Sequence, residues 1–400
     1  MSRTKPVKVA IIGCGTISHI YMTNLKEKFR ITELVGCSDL IGERAEKRAA
    51  EFGIRRMTNE EILKDPEIEM VMNLTFPQAH YQVSKEILGA GKHCCVEKMM
   101  AAKFEEAREL AELAKQRGLL YGAAPDTFLG GGWQSARKYI DDGFIGKPIG
   151  VNAVVSCSYQ PASDTFDLDP DHFFFPLHPG GGLPFDLGGY YLHNMINLFG
   201  SVSRVSGFGG NIDPERFYLN PSHPKYREPF HVDTPTTLSG TLEFASGVYG
   251  TILITSDASV YDCFSVQGTE ASMALFHPNW FSGPLTLYRS AAIVDEEKNI
   301  GLNTDEGYRP IPDAVPLPLL HGYCGNSRGL ALADMAYALR NKRRPRAHFD
   351  MGLHAMEIIH GMLESAKNGQ IYRMTTICER PRPRRTGVET GSGQEATIDD

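Results

Sequence analysis

The stretch VKVAIIGCGTIS, residues 7–18, decides the fold of the first part of the chain. Its first six residues form a largely apolar run, as in a buried parallel strand, and a G-x-G turn follows at once. Such a turn between a strand and a helix brings the backbone close to a pyrophosphate, whose charge is stabilised at the helix N-terminus. Ser18, at the third glycine position, is small enough for close packing of helix on sheet. The stretch predicts a dinucleotide site formed by Gly13, Gly15, Thr16 and Ile17.

Asp39 supplies the second half of this fingerprint, at the end of the next strand-like run, LVGCSD (residues 34–39). A carboxylate there accepts hydrogen bonds from ribose hydroxyls and repels a 2′-phosphate, which favours NAD over NADP. Arg44 follows shortly after, but an arginine in a helix is more often solvated than bound to phosphate. We therefore predict NAD as the cofactor.

Apolar runs and amphipathic helical stretches alternate over residues 1–124. This alternation is typical of a parallel sheet with helices on both faces, so we predict a doubly wound, NAD-binding α/β domain over these residues. The predicted strands are Val7–Ile12, Ile31–Cys37, Ile68–Leu74, His93–Val96 and Leu119–Ala123. The predicted helices are Thr16–Lys28, Gly42–Phe52, Gln78–Leu88 and Phe104–Arg117.

The pattern changes after residue 124, where long alternating segments are rich in β-branched and aromatic residues. They predict a second α/β domain over residues 125–378, with a mostly antiparallel, open sheet. Its predicted strands are Val151–Tyr159, Thr237–Phe244, Gly247–Asp257 and Cys263–Gln267, and its predicted helices are 131–142, 186–199, 327–341 and 351–368. Residues 379–400 lack an apolar periodicity and are predicted to form a mobile tail.

The composition excludes several classes of function. The chain has 400 residues and a formal net charge of −7 at pH 7, so neither nucleic acid nor an anionic membrane is an expected partner. Neither a signal peptide nor a membrane span is visible, which points to the cytoplasm. The eight cysteines include no CxxC pair and are expected to be reduced thiols. No metal site is predicted, because the spacing of the histidines resembles no ligand set.

Three further segments carry a resemblance to a known family: NLTFPQAH (residues 73–80), GKHCCVEK (residues 91–98) and GGGLPFDLGGY (residues 180–190). With the glycine turn, they resemble the glucose–fructose oxidoreductase, inositol dehydrogenase and MocA-type (Gfo/Idh/MocA) family over nearly the whole chain except the tail. The resemblance implies a Rossmann domain plus an α/β domain whose open sheet often mediates oligomer contacts. A homo-oligomer, either a dimer or a tetramer, is therefore expected.

In this family a Glu-Lys-Pro segment supplies a catalytic lysine beside the nicotinamide, and Lys98 matches it. Met99 stands in place of the proline and leaves the lysine position intact. A lysine at the carboxyl end of a strand lies in the crevice where open α/β sheets bind ligands, and partial burial is expected to lower its pKa. Besides Lys98 itself, the resemblance places four more residues near the cofactor: Thr75, Pro77, His80 and Glu97.

The helix that begins near Asp186 presents Asp186, Tyr190 and His193 on one face, at i, i+4 and i+7. Many relatives carry Asp-x-Gly-x-His-x-x-Asp here, with histidine as the base. In this chain Tyr190 takes the histidine position, like the catalytic tyrosine of glucose–fructose oxidoreductase, and His193 takes the second acid position. The proton-transfer residue is therefore either Tyr190 or His193, and Asp186 is expected to orient Lys98. The predicted substrate contacts are Lys98, Asp126, Thr127, Asp186 and His193.

These observations predict an NAD-dependent dehydrogenase that moves a hydride to or from a secondary hydroxyl of a sugar or glycoside, with the 3-hydroxyl of a glucoside as the specific hypothesis. The aromatic loop Phe173–Phe175 is a candidate for stacking on a sugar face. A substrate contact is also expected among His172, His178, His321 and His354. Two alternatives stay open: a dinucleotide-binding regulator without catalysis, and an enzyme that cleaves glycosides through transient oxidation by NAD.

Overall fold

A computed structural model describes residues 5–157, 181–218, 221–289 and 313–387, together with Glu395, Thr397 and Ile398. The first domain is built on six strands: β1 (Val7–Ile12), β2 (Thr32–Ser38), β3 (Arg55–Arg56), β4 (Met70–Asn73), β5 (His93–Val96) and β6 (Tyr121–Ala123). They run parallel in the order β3-β2-β1-β4-β5-β6. Its helices are α1 (Ser18–Glu27), α2 (Gly42–Phe52), α3 (Asn59–Lys64), α4 (Pro77–Gly89) and α5 (Phe104–Arg117). The predicted doubly wound parallel sheet is confirmed.

The central strands of this sheet are apolar because helices cover both of their faces. Every residue of β4 is buried, as expected for a parallel strand without a solvent-facing side. The helix predicted from Thr16 begins instead at Ser18, since the preceding residues form the glycine turn. Strand β3 and helix α3 were not predicted, although α3 begins with a capping box between Thr58 and Glu61 that is visible in the sequence.

The second domain contains a large sheet and a separate two-stranded one. Its strands are β7 (Pro148–Ser156), β8 (Val202–Gly210), β9 (Glu215–Phe217), β10 (Pro229–His231), β11 (Thr237–Phe244), β12 (Tyr249–Thr255), β13 (Tyr261–Gly268), β14 (Ala271–Leu275), β15 (Leu285–Arg289), β16 (Asp313–Leu317) and β17 (Tyr372–Arg373). The large sheet has the order β16-β15-β14-β13-β7-β12-β11-β8-β17, and β9 pairs with β10. Among its described strands only β7 and β12 pair in parallel, which confirms the mostly antiparallel sheet.

The helices of this domain are α6 (Gly131–Asp141), α7 (Leu183–Asp186), α8 (Gly188–Phe199), α9 (Leu330–Asn341) and α10 (Phe349–Asn368). The single helix predicted over residues 186–199 is divided at Leu187, so Asp186 ends α7 and does not belong to α8. Every residue of α8 is buried, because this helix is apolar around most of its circumference and lies inside the domain. Helix α10 packs against both α5 and β6 across the domain boundary. In the described part of the chain, no helix has the combination of length and apolar character that crossing a membrane requires.

The segment predicted to be a mobile tail packs against the protein wherever the structure describes it. The buried Arg384 donates hydrogen bonds to the carbonyl oxygens of Leu129 at 2.8 Å and Gly322 at 3.2 Å. Glu395 accepts one from the backbone N–H of Ile31, in the first domain, at 2.9 Å. The described part of the segment is therefore held to both domains. The difference from the prediction arises because its arginines supply buried hydrogen-bond donors instead of facing water.

The glycine turn provides a stability test. Gly13 has a φ of +105°, and a Cβ there would lie 2.6 Å from the carbonyl carbon of Leu74, whereas a Cβ on Gly15 would meet nothing within 4 Å. We expect Gly13→Ala to lower the free energy of unfolding by about 1–3 kcal/mol. The matched variant Gly15→Ala should change it by less than about 0.5 kcal/mol. Urea unfolding without nucleotide measures both values, and equal losses would contradict this account of the turn.

Candidate active site

The glycine turn fits a dinucleotide. Gly13 has no space for a side chain, whereas Gly15 faces open space directly before α1. The hydroxyl of the buried Ser18 donates to the carbonyl oxygen of Gly15 at 2.6 Å, which fastens the turn to the helix. The turn follows β1, next to β4, where the strand order reverses, and open α/β sheets bind ligands at this point. The open space at Gly15 is thus suited to a pyrophosphate at a helix N-terminus.

Asp39 follows β2, and its side chain reaches the glycine turn. Its Oδ2 accepts a hydrogen bond from the backbone N–H of Cys14 at 2.6 Å, and its Oδ1 accepts one from Ile41 at 2.8 Å. Each carboxylate oxygen has a second lone pair, so ribose hydroxyls can also donate to it. Leu40 and Ile41 expose large apolar side chains beside this carboxylate, which suits the apolar face of an adenine.

Lys98 and Asp186 join the two domains in the crevice. Lys98 follows β5 and Asp186 ends α7, and the lysine Nζ donates to the aspartate Oδ1 at 2.6 Å. The two side chains are only 20% and 14% exposed. Burial alone would lower the pKa of Lys98, but Asp186, Tyr190 and Glu97 raise it, and the net direction is upward. The expectation of a lowered pKa is therefore wrong, because a carboxylate lies directly against the ammonium.

Tyr190 lies beside this pair, in α8. The Lys98 ammonium is 5.5 Å from the centre of the Tyr190 ring, and the tyrosine is almost completely buried. Burial and the charges of Glu97 and Asp186 raise the pKa of Tyr190, and the positive charges of Lys98 and Arg328 offset only part of this rise. The two cations therefore stabilise the phenolate whenever the hydroxyl loses its proton.

Arg328 is a site residue that the sequence analysis missed. It precedes α9, and its guanidinium donates to the side-chain oxygens of Asn279 at 2.6 Å and Asn326 at 3.2 Å, while the negative charge of a Tyr190 phenolate would raise its pKa. These contacts hold its guanidinium at the phenol. The local sequence, Ser-Arg-Gly before a helix, gives no signal of such a role, because only the fold brings this loop to α8.

His193 is turned toward the linker between the domains. Its Nδ1 donates to the carbonyl oxygen of Pro125 at 3.0 Å, and its ring packs edge-on against Phe128. Among the described residues its buried Nε2 has no hydrogen-bond partner. Burial lowers the pKa of His193 to about 4, so the imidazole is neutral at neutral pH. The structure thus brings Lys98, Asp186 and Tyr190 into direct contact, whereas the polar contact shown for His193 is with the linker backbone.

Two hydrogen bonds, one to each carboxylate oxygen, hold Glu97 in place. It accepts a hydrogen bond from the hydroxyl of Tyr21, in α1, at 2.8 Å and another from the backbone N–H of Lys98 at 2.8 Å. Tyr21 is therefore a second missed residue. The one signal for it is weak: a tyrosine on the buried face of a helix needs a partner for its hydroxyl.

The predicted cofactor residues Thr75, Pro77 and His80 follow β4, the strand next to β5. Thr75 donates its hydroxyl to Asn73 at 2.7 Å, and Pro77 begins α4. His80 is fully buried, with Nδ1 at 2.6 Å from the carbonyl oxygen of Met99 and Nε2 at 2.8 Å from that of Thr75. Its ring thus links the loop after β4 to the segment that follows Lys98, which makes it a support of the crevice.

Asp126 and Thr127, predicted to contact substrate, are both buried in the linker. Asp126 Oδ2 accepts hydrogen bonds from the backbone N–H groups of Gly329 at 2.9 Å and Ala331 at 3.3 Å, so it caps α9. Burial raises the pKa of Asp126 to about 6. The cap positions the loop that carries Arg328. Thr127 Oγ1 has no hydrogen-bond partner among the described residues.

The other residues considered as substrate contacts lie elsewhere. His321 and His354 are buried in the second domain and bond to neighbouring protein groups, including Ser135 and Thr376. The segment Phe173–Phe175, with His172 and His178, lies outside the described residues. The part of the chain that the structure describes contains no group of three or more potential metal ligands.

Comparison with known proteins agrees with this architecture. A family model described as an oxidoreductase family with an NAD-binding Rossmann fold matches residues 7–124, and a GFO/IDH/MocA C-terminal domain model matches residues 133–274. An uncharacterized oxidoreductase of Schizosaccharomyces pombe is 27% identical over 208 residues, which is 50% of this chain and 54% of that protein. The NAD(+)-linked scyllo-inositol 2-dehydrogenase of Bacillus subtilis is 26% identical over 249 residues, 62% of this chain and 66% of that one. The matched region thus spans between half and two-thirds of these relatives.

A solved structure shows the same fold over both domains. Levoglucosan dehydrogenase, in complex with NADH and L-sorbose, superposes with a TM-score of 0.74 at 21% identity, covering 93% of this chain and 100% of that one. The two family models together match more than half of the chain, on either side of the linker. The chain therefore belongs to the Gfo/Idh/MocA oxidoreductase family.

Proposed function

We propose that the protein is an NAD-dependent dehydrogenase that oxidises a secondary hydroxyl of a sugar or glycoside. The observation that carries the proposal is the contact of Lys98 with Asp186, beside Tyr190, in the crevice next to the glycine turn. A binding protein without catalysis has no need for a buried ammonium, carboxylate and phenol at this point. The inositol and levoglucosan dehydrogenases named above support a polyhydroxylated ring as the substrate class.

The residues of the site divide the chemistry between them. Bound NAD supplies the hydride acceptor. Lys98 stays protonated, so it donates a hydrogen bond to the reacting oxygen and stabilises the negative charge that develops there. Asp186 holds the ammonium in position. Tyr190 accepts the hydroxyl proton in its phenolate form, which the positive charges of Lys98 and Arg328 favour, while His193 fixes the linker through Pro125.

Turnover is the first test of this proposal. Purified protein is mixed with NAD and a panel of monosaccharides, inositols and glucosides, including glucosides blocked at single hydroxyls, and NADH absorbance is followed. NADH formation that fails only when position 3 is blocked would support the hypothesis of 3-oxidation. Tight NAD binding without NADH, but with cleavage of a glycoside, would indicate transient oxidation instead. Tight NAD binding with neither product would indicate a regulator and contradict the proposal.

Lys98→Met tests the role of the ammonium. The variant is expected to lower kcat about 100- to 1000-fold, because it removes a donor aimed at the reacting oxygen. Lys103→Met is the matched control: this lysine is 73% exposed and should leave turnover unchanged. NADH affinity, followed by fluorescence titration, should stay within about threefold in both variants. A similar kcat for the Lys98 variant and wild type would exclude Lys98 from the chemistry.

The pH dependence separates Tyr190 from His193. Tyr190 can accept a proton only as the phenolate. Because its pKa is raised, the phenolate fraction increases about tenfold per pH unit from neutral to alkaline pH, and kcat/KM for oxidation should rise with it. If His193 were the base, its pKa of about 4 would give an acidic limb and a plateau through neutrality. We also expect Tyr190→Phe to abolish the alkaline rise, and His193→Asn, which keeps a donor for Pro125, to preserve it. The reverse pattern in these two variants would assign the proton to His193.

Asp39 accounts for the proposed preference for NAD. Asp39→Asn removes the charge that repels a 2′-phosphate and weakens an acceptor for ribose hydroxyls. It should therefore weaken NADH binding about tenfold or more and leave NADPH binding unchanged or tighter. Fluorescence titration with both cofactors measures this, with Glu43→Gln, an exposed carboxylate in α2, as the control. Equal losses for both cofactors would show that Asp39 only supports the turn.

A further inference from the structure

The loop over residues 276–283, between β14 and β15, lies close to the site. The backbone N–H of Gly132 donates to the carbonyl oxygen of Phe281 at 3.0 Å, and Trp133 Nε1 donates to that of Trp280 at 3.0 Å. These bonds fix the loop against the first turn of α6, directly after the linker.

The loop carries a partly exposed aromatic surface. The Trp280 ring is 59% exposed and lies 5.8 Å from the His277 ring, which in turn lies 5.8 Å from the ring of Tyr191 in α8. Asp262 contacts two of these rings: it accepts a hydrogen bond from the Tyr191 hydroxyl at 3.1 Å, and it lies 3.6 Å from His277 Nε2. We call these four residues, together with Asn279, the Trp280 ledge.

Two connections place the Trp280 ledge beside the catalytic groups. Tyr191 directly follows Tyr190 in α8, and Asn279 accepts a hydrogen bond at 2.6 Å from Arg328, whose positive charge acts on Tyr190. The ledge therefore continues outward from α8 and the crevice toward solvent.

The chemistry of the Trp280 ledge suits a carbohydrate ring. The apolar C–H face of a pyranose packs on an exposed aromatic face, and its hydroxyls need a few polar partners at the rim. Asp262, His277 and Asn279 supply a carboxylate, an imidazole and an amide at that rim. A monosaccharide held at Lys98 has no second ring to place there.

We propose that the Trp280 ledge binds a second sugar ring, glycosidically joined to the ring that is oxidised. The inference rests on the proposed function, and it narrows the substrate to a disaccharide or longer saccharide. In this arrangement the outer ring stacks on Trp280 and bonds to Asp262 and Asn279, while the inner ring presents its hydroxyl to Lys98.

Fluorescence tests the binding without requiring turnover. The sequence has two tryptophans, Trp133 and Trp280, and Trp133 is fully buried, so a ligand that stacks on the ledge should change the emission of Trp280 selectively. Titration of the whole protein with cellobiose and with maltose should produce a saturable change with at least one of them. Trp280→Phe should abolish the change, and glucose should not produce it. No saturable change with either disaccharide would overturn the proposal.

Kinetics supply the second arm. With NAD present, Trp280→Ala should lower kcat/KM for the disaccharide about tenfold, whereas Trp280→Phe should restore most of it and kcat/KM for glucose should not change. Tyr249→Ala, which removes an exposed aromatic side chain at the start of β12 and outside the ledge, is the control. An equal loss of kcat/KM for glucose and the disaccharide, or no loss for either, would overturn the proposal that the ledge binds a second ring. A fluorescence response without NADH formation would support saccharide binding at the ledge and contradict the proposed dehydrogenase activity. Failure of the ledge and failure of the proposed function can therefore be distinguished.

Discussion

The ion pair between Lys98 and Asp186 is the contact on which the rest of the candidate site depends. It joins the end of β5, in the first domain, to the end of α7, in the second, at 2.6 Å. A buried charge that loses its partner costs several kcal/mol, so each of these side chains requires the other domain to be in place. The position of the ammonium therefore depends on how the two domains pack against each other.

The same pair determines how the chemistry is divided. Because Asp186 raises the pKa of Lys98, we propose that the lysine acts as a fixed positive charge and not as the base. In the proposed reaction the proton goes to Tyr190, whose phenolate is stabilised by the charges of Lys98 and Arg328. The supporting contacts serve this geometry: Tyr21 holds Glu97, and the Asp126 cap on α9 positions the loop of Arg328.

The sequence predicts those parts of the molecule that local patterns encode. A strand followed by G-x-G predicts the Rossmann turn, and the segments around Lys98 and Asp186 identify the pair through a family resemblance. The direction of the Lys98 pKa could not be predicted, since it depends on the 2.6 Å distance to a carboxylate 88 residues away. Arg328 could not be predicted either, because only the fold brings it to Tyr190. The packed C-terminal segment was missed because arginine content alone does not distinguish a solvated residue from a buried donor.

The proposed reaction transfers a hydride from carbon to NAD, and deuterium transfer measures this step most directly. The protein would be mixed with NAD and a glucoside deuterated at every ring carbon, quenched after a single turnover, and the cofactor analysed by mass spectrometry. We expect reduced cofactor that carries one deuterium, and at least about 100-fold less of it from Lys98→Met in the same time. Reduced cofactor without deuterium, or cofactor that stays oxidised with every saccharide, would contradict the proposed reaction.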